Sequence, residues 1–138
     1  MRKMMIAIVC GALVLLNGCA RNPDRDRAMH ELEMKAASTV PICMTEEQCL
    51  RMMDAAELWV VDHSEYRIRD ITRNRIATYT PLKNSSTDWF YQVTKRPYKE
   101  GNKIVLDIGV RNPISKAFDK DEILEQIVEF NTVVGSIH

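Results

Sequence analysis

An apolar run of thirteen residues, from Met4 to Leu16, follows the basic start Met1-Arg2-Lys3. A helix needs about 20 apolar residues to cross a bilayer, so this run is too short to span one comfortably. A basic start followed by a short apolar segment is instead typical of a secretory signal. The run therefore predicts export, with the folded part of the chain downstream. By itself it leaves open an ordinary signal peptide and a short membrane anchor.

The residues at the end of the run favour a more specific interpretation. The sequence Leu16-Asn17-Gly18-Cys19 resembles the lipobox of bacterial lipoproteins, in which an aliphatic residue and a small residue precede the cysteine that becomes acylated. The resemblance implies that residues 1–18 are a lipoprotein signal peptide, and that acyl chains on Cys19 hold the protein to the membrane. Ala20 resembles the outer-membrane default of bacteria that sort lipoproteins by this position, which implies an outer-membrane location facing the periplasm.

The charge balance argues against a role in nucleic-acid binding. Nineteen basic residues match nineteen acidic ones, and loss of Arg2 and Lys3 with the signal leaves 17 basic against 19 acidic, a net charge of −2. Binding to nucleic acid through bulk charge requires a basic excess, so we expect no nucleic-acid partner. The polar residues 19–40 predict a tether next to the lipid, with a helix over 24–36 because Met29, Leu32 and Ala36 recur at helical spacing.

The remaining cysteines predict a structural disulfide. Cys10 lies in the signal and Cys19 carries the lipid, so Cys43 and Cys49 form an even pair in an oxidising compartment. Thr45 and Gln48, between them, fit a helix N-cap and a capping box. A redox or metal pair is the alternative, but five intervening residues do not fit a CxxC motif, and no second Cys/His pair completes a zinc site.

Hydrophobic periodicity predicts an α+β fold for a single domain over 41–138, with Trp59 as a central core aromatic. A helix, a three-stranded antiparallel meander and a second helix follow one another, with both helices packed on one sheet face. Short links between the strands favour antiparallel pairing. The elements are a helix over 45–63, a strand over 66–80 with a bend near 70–74 (or two short strands), a strand over 89–95, a turn over 97–102, a strand over 103–111 and a helix over 119–134.

One group of cationic residues in the sequence is a candidate binding feature. Four arginines share strand spacing and, on a regular strand, one face: Arg67, Arg69, Arg73 and Arg75. Guanidinium groups in such an array suit phosphate or carboxylate, which makes them a candidate anion-binding face for an anionic envelope component or an acidic protein. A solvated outer sheet face explains the same pattern.

No pattern of catalytic or metal-ligating residues is present in the sequence. Asp62-His63-Ser64 contains the triad residue types, but neighbours on a helix point about 100° apart and cannot form a relay with one another. The three histidines are widely separated, and the common nucleophile, phosphate-loop and zinc-helix motifs are absent. We therefore expect no catalytic residue, no metal and no cofactor.

Beyond the lipobox, the chain resembles a group of small bacterial lipoproteins. The residues that carry the resemblance are Cys43 with Cys49, Ala55-Ala56 with Trp59, Ile76-Ala77-Thr78-Tyr79 and Val93-Thr94-Lys95. The resemblance implies a fold and a location, and no activity. The expected function is a non-enzymatic binding or interaction module of the cell envelope. The alternative is an inhibitor or exclusion factor that blocks an envelope enzyme or phage receptor with a loop, either Pro81–Asp88 or Pro97–Asn102 with Tyr98.

Overall fold

Eight elements of regular structure lie in the parts of the chain that the computed structural model describes, residues 22–82, 89–111 and 119–138. They comprise helices and one antiparallel sheet, so the predicted α+β class is confirmed. In chain order they are α1 (Pro23–Ser38), β1 (Ile42–Cys43), α2 (Glu46–His63), β2 (Ile68–Thr72), β3 (Arg75–Thr78), β4 (Trp89–Tyr98), β5 (Gly101–Val110) and α3 (Lys120–Gly135).

The sheet has five strands in the order β1-β5-β4-β3-β2. The predicted number of three strands is therefore wrong, although consecutive strands from β2 to β5 do pair as a meander. Residues 66–80 turn at Arg73–Asn74 and form the hairpin β2–β3, which is the second of the two interpretations of that stretch. β1 has only two residues, too few for any alternation to reveal it.

The hairpin β4–β5 defines two ends of the sheet. At the tip end, the two-residue turn Lys99–Glu100 connects the strands. At the base end, Trp89 at the start of β4 pairs with Val110 at the end of β5. The observed turn is shorter than the predicted one over 97–102, because the ladder continues to the Tyr98–Gly101 pair.

α2 begins at the tip end with the cap that its sequence predicts. Thr45 Oγ1 accepts a hydrogen bond from the Gln48 backbone N–H at 3.1 Å, and Gln48 Oε1 accepts one from the Met44 N–H at 2.9 Å. The bond to Thr45 confirms the predicted N-cap and satisfies a backbone donor that the first turn of a helix leaves unpaired, whereas Gln48 bonds the residue before the cap and not the cap itself. The buried face of α2 comprises Cys49, Met52, Met53, Ala56, Trp59 and Val60.

The core lies between α2, α3 and one face of the sheet. The sheet contributes alternate residues of its strands, namely Ile76, Tyr91, Val93, Ile104 and Leu106. Trp59 is the central core aromatic that the helical spacing predicts: its ring packs edge-on against Tyr91 at 5.8 Å and against Phe130 at 5.3 Å between ring centroids. Both helices therefore cover the same sheet face, and the opposite face is the outer face.

α1 packs along α3 instead of extending away from the domain as a tether would. Asn22 caps it, accepting bonds from the Asp24 and Arg25 N–H groups at 3.2 and 3.4 Å. At its other end the buried Asn131 side chain of α3 donates to the Ala36 carbonyl oxygen at 2.9 Å and to Thr39 Oγ1 at 3.2 Å. The helix expected over 24–36 is thus a regular helix, and these contacts make it part of the folded unit.

Candidate interaction surfaces

A cluster of apolar and cationic side chains lies at the tip end on the outer face. Its members, which we call the tip surface, are Ile42, Met44, Tyr98, Lys99 and Lys103. Ile42 and Arg96 are both cross-strand partners of Lys103, and residues two apart on a strand share a face, so Tyr98 belongs to the same side. Met44 is 58% exposed, and its sulfur lies against Gly101, the partner of Tyr98.

The tip surface rests on a covalent brace. Cys43 and Cys49 form the predicted disulfide, with 5.1 Å between their Cα atoms, and it ties β1 to the first turn of α2. Both cysteines are fully buried, and Asn102 Nδ2 lies 3.8 Å from Cys49 Sγ. A side chain at Gly101 would overlap the Cys43 carbonyl oxygen, so the disulfide segment sits directly on the hairpin. The brace therefore holds β1 and the β4–β5 turn in one fixed arrangement.

The tip surface is cationic around its aromatic ring. Lys99 Nζ and Lys103 Nζ lie 5.2 and 5.4 Å from the centroid of the Tyr98 ring, within the range of cation–π attraction. Arg96, on the same face, is paired with Asp107 at 2.8 Å. The two lysines therefore supply the charge available to a partner, and Ile42 with Met44 supplies apolar area beside it.

A second surface lies at the base end, and we call it the base surface. It consists of Tyr66, Arg67, Tyr79 and Leu82, which together with Glu65 and Thr80 line a shallow concavity of about 340 Å³. The Tyr79 N–H donates to the Arg67 carbonyl oxygen at 3.0 Å and joins the two chain segments, while Arg111 donates to the carbonyl oxygen of the buried Pro81. Leu82 is 77% exposed and Tyr79 53% exposed, so large apolar groups face outward here.

The four arginines predicted to share a face do not do so. The prediction required a regular strand, and the turn between β2 and β3 breaks it. Arg69 pairs with Asp70 at 2.9 Å, and Arg73 in the turn lies 3.7 Å from Glu46 of α2, on the helix-covered side. Arg75 donates to Gln92 at 2.8 Å on the outer face, and Arg67 lines the base surface.

The histidine and serine at the end of α2 engage different partners. His63 stacks on Trp59 with 3.9 Å between ring centroids, its Nδ1 lies 2.8 Å from the Trp59 carbonyl oxygen, and its Nε2 lies 3.3 Å from Glu129. Ser64 Oγ donates to the Tyr66 carbonyl oxygen at 2.8 Å. This geometry anchors the end of α2 and does not direct a nucleophile toward a base.

Two side chains with shifted pKa values make contacts that hold α3 in position. Burial raises the pKa of Tyr91, whose hydroxyl donates to Gln126 Oε1 of α3 at 2.7 Å. A hydrogen bond and the charge of Lys120 lower the pKa of Glu33 on α1. Both contacts hold a helix in position.

Among residues 22–82, 89–111 and 119–138, no three His, Cys, Asp or Glu side chains are placed to hold one metal ion. The helices within the same ranges include none that is both long and apolar enough to span a bilayer. Comparison of the chain with models of protein families, with curated proteins and with solved structures finds no match.

Sequence reasoning found part of each surface. Tyr98 was singled out as a residue of the candidate plug, and that plug's other turn, Pro81–Asp88, lies outside the described residues from position 83 onward. Ile42, Met44 and Lys103 were missed because only the two-residue strand β1 brings them together. Tyr79 and Leu82 were missed as well, because large apolar residues are ordinarily read as part of the core.

Proposed function

We propose that this chain is a lipid-anchored lipoprotein of the cell envelope that acts as a non-enzymatic interaction module. The observation that carries the proposal is that its cysteines have two different roles, one as a candidate lipidation site and two in a disulfide. Cys19 ends a sequence that resembles a lipobox and follows a short apolar run, and the two cysteines of the domain are joined in a buried disulfide. Such bonds persist in oxidising compartments, which supports an exported protein. Ala20 after the lipid favours the outer membrane, facing the periplasm.

The tip surface is the proposed site of interaction. A buried disulfide directly beneath it limits the conformational freedom that a partner would have to remove on binding. Tyr98 offers a rigid aromatic contact, and Ile42 with Met44 offers adjacent apolar area. Lys99 and Lys103 favour a partner with acidic side chains around an apolar pocket. The proposed partner is therefore an envelope protein with an acidic surface.

Lipidation is tested first, by growth with labelled palmitate. The label is expected in the wild-type chain and absent from a Cys19→Ser variant. A wild-type chain without label, recovered with its first methionine intact, would overturn the anchoring and with it the proposed location.

The interaction site is tested in intact cells with a photo-crosslinking residue in place of Tyr98. We expect one crosslinked envelope protein, with the yield reduced at least tenfold by the double change Lys99→Glu and Lys103→Glu. A charge-matched control, Arg27→Glu with Arg51→Glu, changes exposed cations elsewhere and should leave the yield unchanged. A yield that is insensitive to the two lysines, or equally sensitive to the control pair, contradicts the assignment of the tip surface.

A second candidate function is inhibition or exclusion, in which the β4–β5 turn blocks an envelope enzyme or a phage receptor. The observation that favours it is the braced turn with Tyr98 next to its apex, because a plug must keep its shape in the partner's cleft. The crosslinked partner distinguishes the two functions. A partner whose activity or receptor function falls when the mature lipoprotein is added, and recovers with the Lys99→Glu, Lys103→Glu variant, indicates an inhibitor.

A further inference from the structure

The start of α1, which comes four positions after Cys19 in the sequence, and the base surface lie at the same end of the molecule. α1 begins beside the start of α3, since Arg25 lies 3.6 Å from Asp121. α3 begins at the base end, because Tyr91 near the start of β4 bonds to Gln126 in its second turn. The base surface is at that end too: β3 ends at Thr78, next to Tyr79, and Arg111 just after β5 donates to Pro81.

The docking of α1 leaves little chain between the lipid and the domain. Cys19 lies four positions before Pro23, the first residue of α1. Four extended residues reach at most about 14 Å. α1 itself is 16 residues long, about 24 Å, and leads from the base end to β1 at the tip end. An acylated Cys19 therefore keeps the base end within reach of the bilayer, but the short linker does not by itself set which face of the domain meets it.

The side chains of the base surface match the chemistry of a bilayer interface. Tyrosine rings reside at the level of lipid headgroups, where one edge is apolar and the hydroxyl stays hydrated. Leu82 and Tyr79 are exposed large apolar groups of this concavity, and Arg67 beside them can pair with an anionic phosphate. The tip surface lies about 24 Å farther along α1, so it is clear of the same membrane only when the domain stands on its base end.

We propose that Tyr66, Tyr79 and Leu82, with Arg67, form a second membrane contact that inserts into the headgroup region of an anionic bilayer and orients the lipid-anchored domain. This inference rests on the proposed lipidation of Cys19. It adds a consequence that lipidation alone does not have: a bilayer-facing base end and a tip surface that points toward partners away from the membrane. A domain held by its acyl chains alone would present no fixed face to the bilayer.

The test uses the mature lipidated chain in vesicles of phosphatidylethanolamine and phosphatidylglycerol at 3:1. A single environment-sensitive fluorophore is attached at Leu82→Cys or, at the opposite end, at Glu100→Cys, with Cys43 and Cys49 left in their disulfide. Nitroxide lipids that report the headgroup region should quench the probe at position 82 at least threefold more than the probe at position 100. Equal quenching at the two positions overturns the proposal.

A substitution at Leu82 tests whether this side chain itself makes the membrane contact. With the fluorophore at Tyr79→Cys, the change Leu82→Asp should lower quenching to the level of position 100. Met44→Asp, a change at a comparably exposed apolar residue of the tip end, should leave it unchanged. If Leu82→Asp has no more effect than Met44→Asp, the contact is refuted.

Flotation of each sample with its vesicles distinguishes a failure of the second membrane contact from a failure of the proposed lipid anchor. A protein that floats but shows equal quenching retains its lipid anchor and lacks the second contact. A protein that carries no palmitate and does not float contradicts the proposed function itself.

Discussion

The two ends of the molecule are stabilised by different means. At the tip end the fully buried residues are small or aliphatic, among them Cys43, Cys49 and Ile104, and a disulfide joins β1 to α2. At the base end the interior is aromatic, with Trp59 between His63, Tyr91 and Phe130. A domain of about one hundred residues has a limited core, so a covalent link can supply rigidity where large side chains are missing. The difference indicates that the end proposed to meet partners is held by a bond and the end proposed to face the membrane is held by packing.

The largest expected loss of free energy of unfolding comes from removing an aromatic side chain from the interior of the base end. Trp59→Ala removes a side chain that is 4% exposed and opens a cavity between α2, α3 and the sheet. Such changes cost about 3–5 kcal/mol. The indole N–H makes no hydrogen bond to any residue in the described ranges, so its removal offsets part of the loss and favours a value near about 3 kcal/mol. Urea unfolding measures the free energy of unfolding.

The matched control for Trp59 is its neighbour Leu58, which is 67% exposed on the same helix. Leu58→Ala should change the free energy of unfolding by less than about 0.5 kcal/mol. Similar losses for the two variants would mean that the base end does not depend on aromatic packing, and the contrast between the ends would disappear.

A smaller effect is expected from the disulfide. Replacing both Cys43 and Cys49 by Ser opens a loop with a sequence separation of six, which lowers the free energy of unfolding by about 2–2.5 kcal/mol in the chain-entropy model. Reduction of the wild-type protein should cause a loss of similar size. Hydrogen exchange locates the effect, and we expect faster exchange in β1 and the β4–β5 turn with little change at Tyr91 and Phe130. Uniformly faster exchange would argue against a brace that serves the tip end.

The smallest expected effect is the contribution of Tyr91, at the base end, to the pH dependence of the free energy of unfolding. Burial raises the pKa of Tyr91 above its ordinary value of 10.0, so the folded state holds this proton to higher pH than the unfolded state does. The contribution to stability is fully present below pH 10 and is lost as the pH rises through the folded pKa. Tyr91→Phe should remove that part of the alkaline loss. Urea unfolding of both proteins between pH 9 and pH 11 measures it, and parallel pH profiles for the two proteins would contradict the assignment.

Local patterns in the sequence predicted the elements with strong periodicity. The extents of α2 and α3 agree with the predictions over 45–63 and 119–134 to within a residue or so, because capping groups at Thr45 and Asp119 and apolar stripes mark both helices. The disulfide was predicted from spacing and compartment. The strand over 66–80 was ambiguous, since arginines and β-branched residues continue through the turn at Arg73–Asn74 without a glycine or proline to mark it.

The sequence by itself determined the cysteine pairing and the class of fold, because each depends on residues close together in the chain, and the proposed lipid anchor likewise rests on a short local pattern. Only the tertiary structure decided where α1 lies, that β1 completes the sheet, and which side chains meet at each end. Those features depend on contacts between distant residues, such as Asn131 with Ala36 and Ile42 with Lys103, whose side chains carry no local pattern. The arginines illustrate the same limit, since one turn sends their side chains to separate partners.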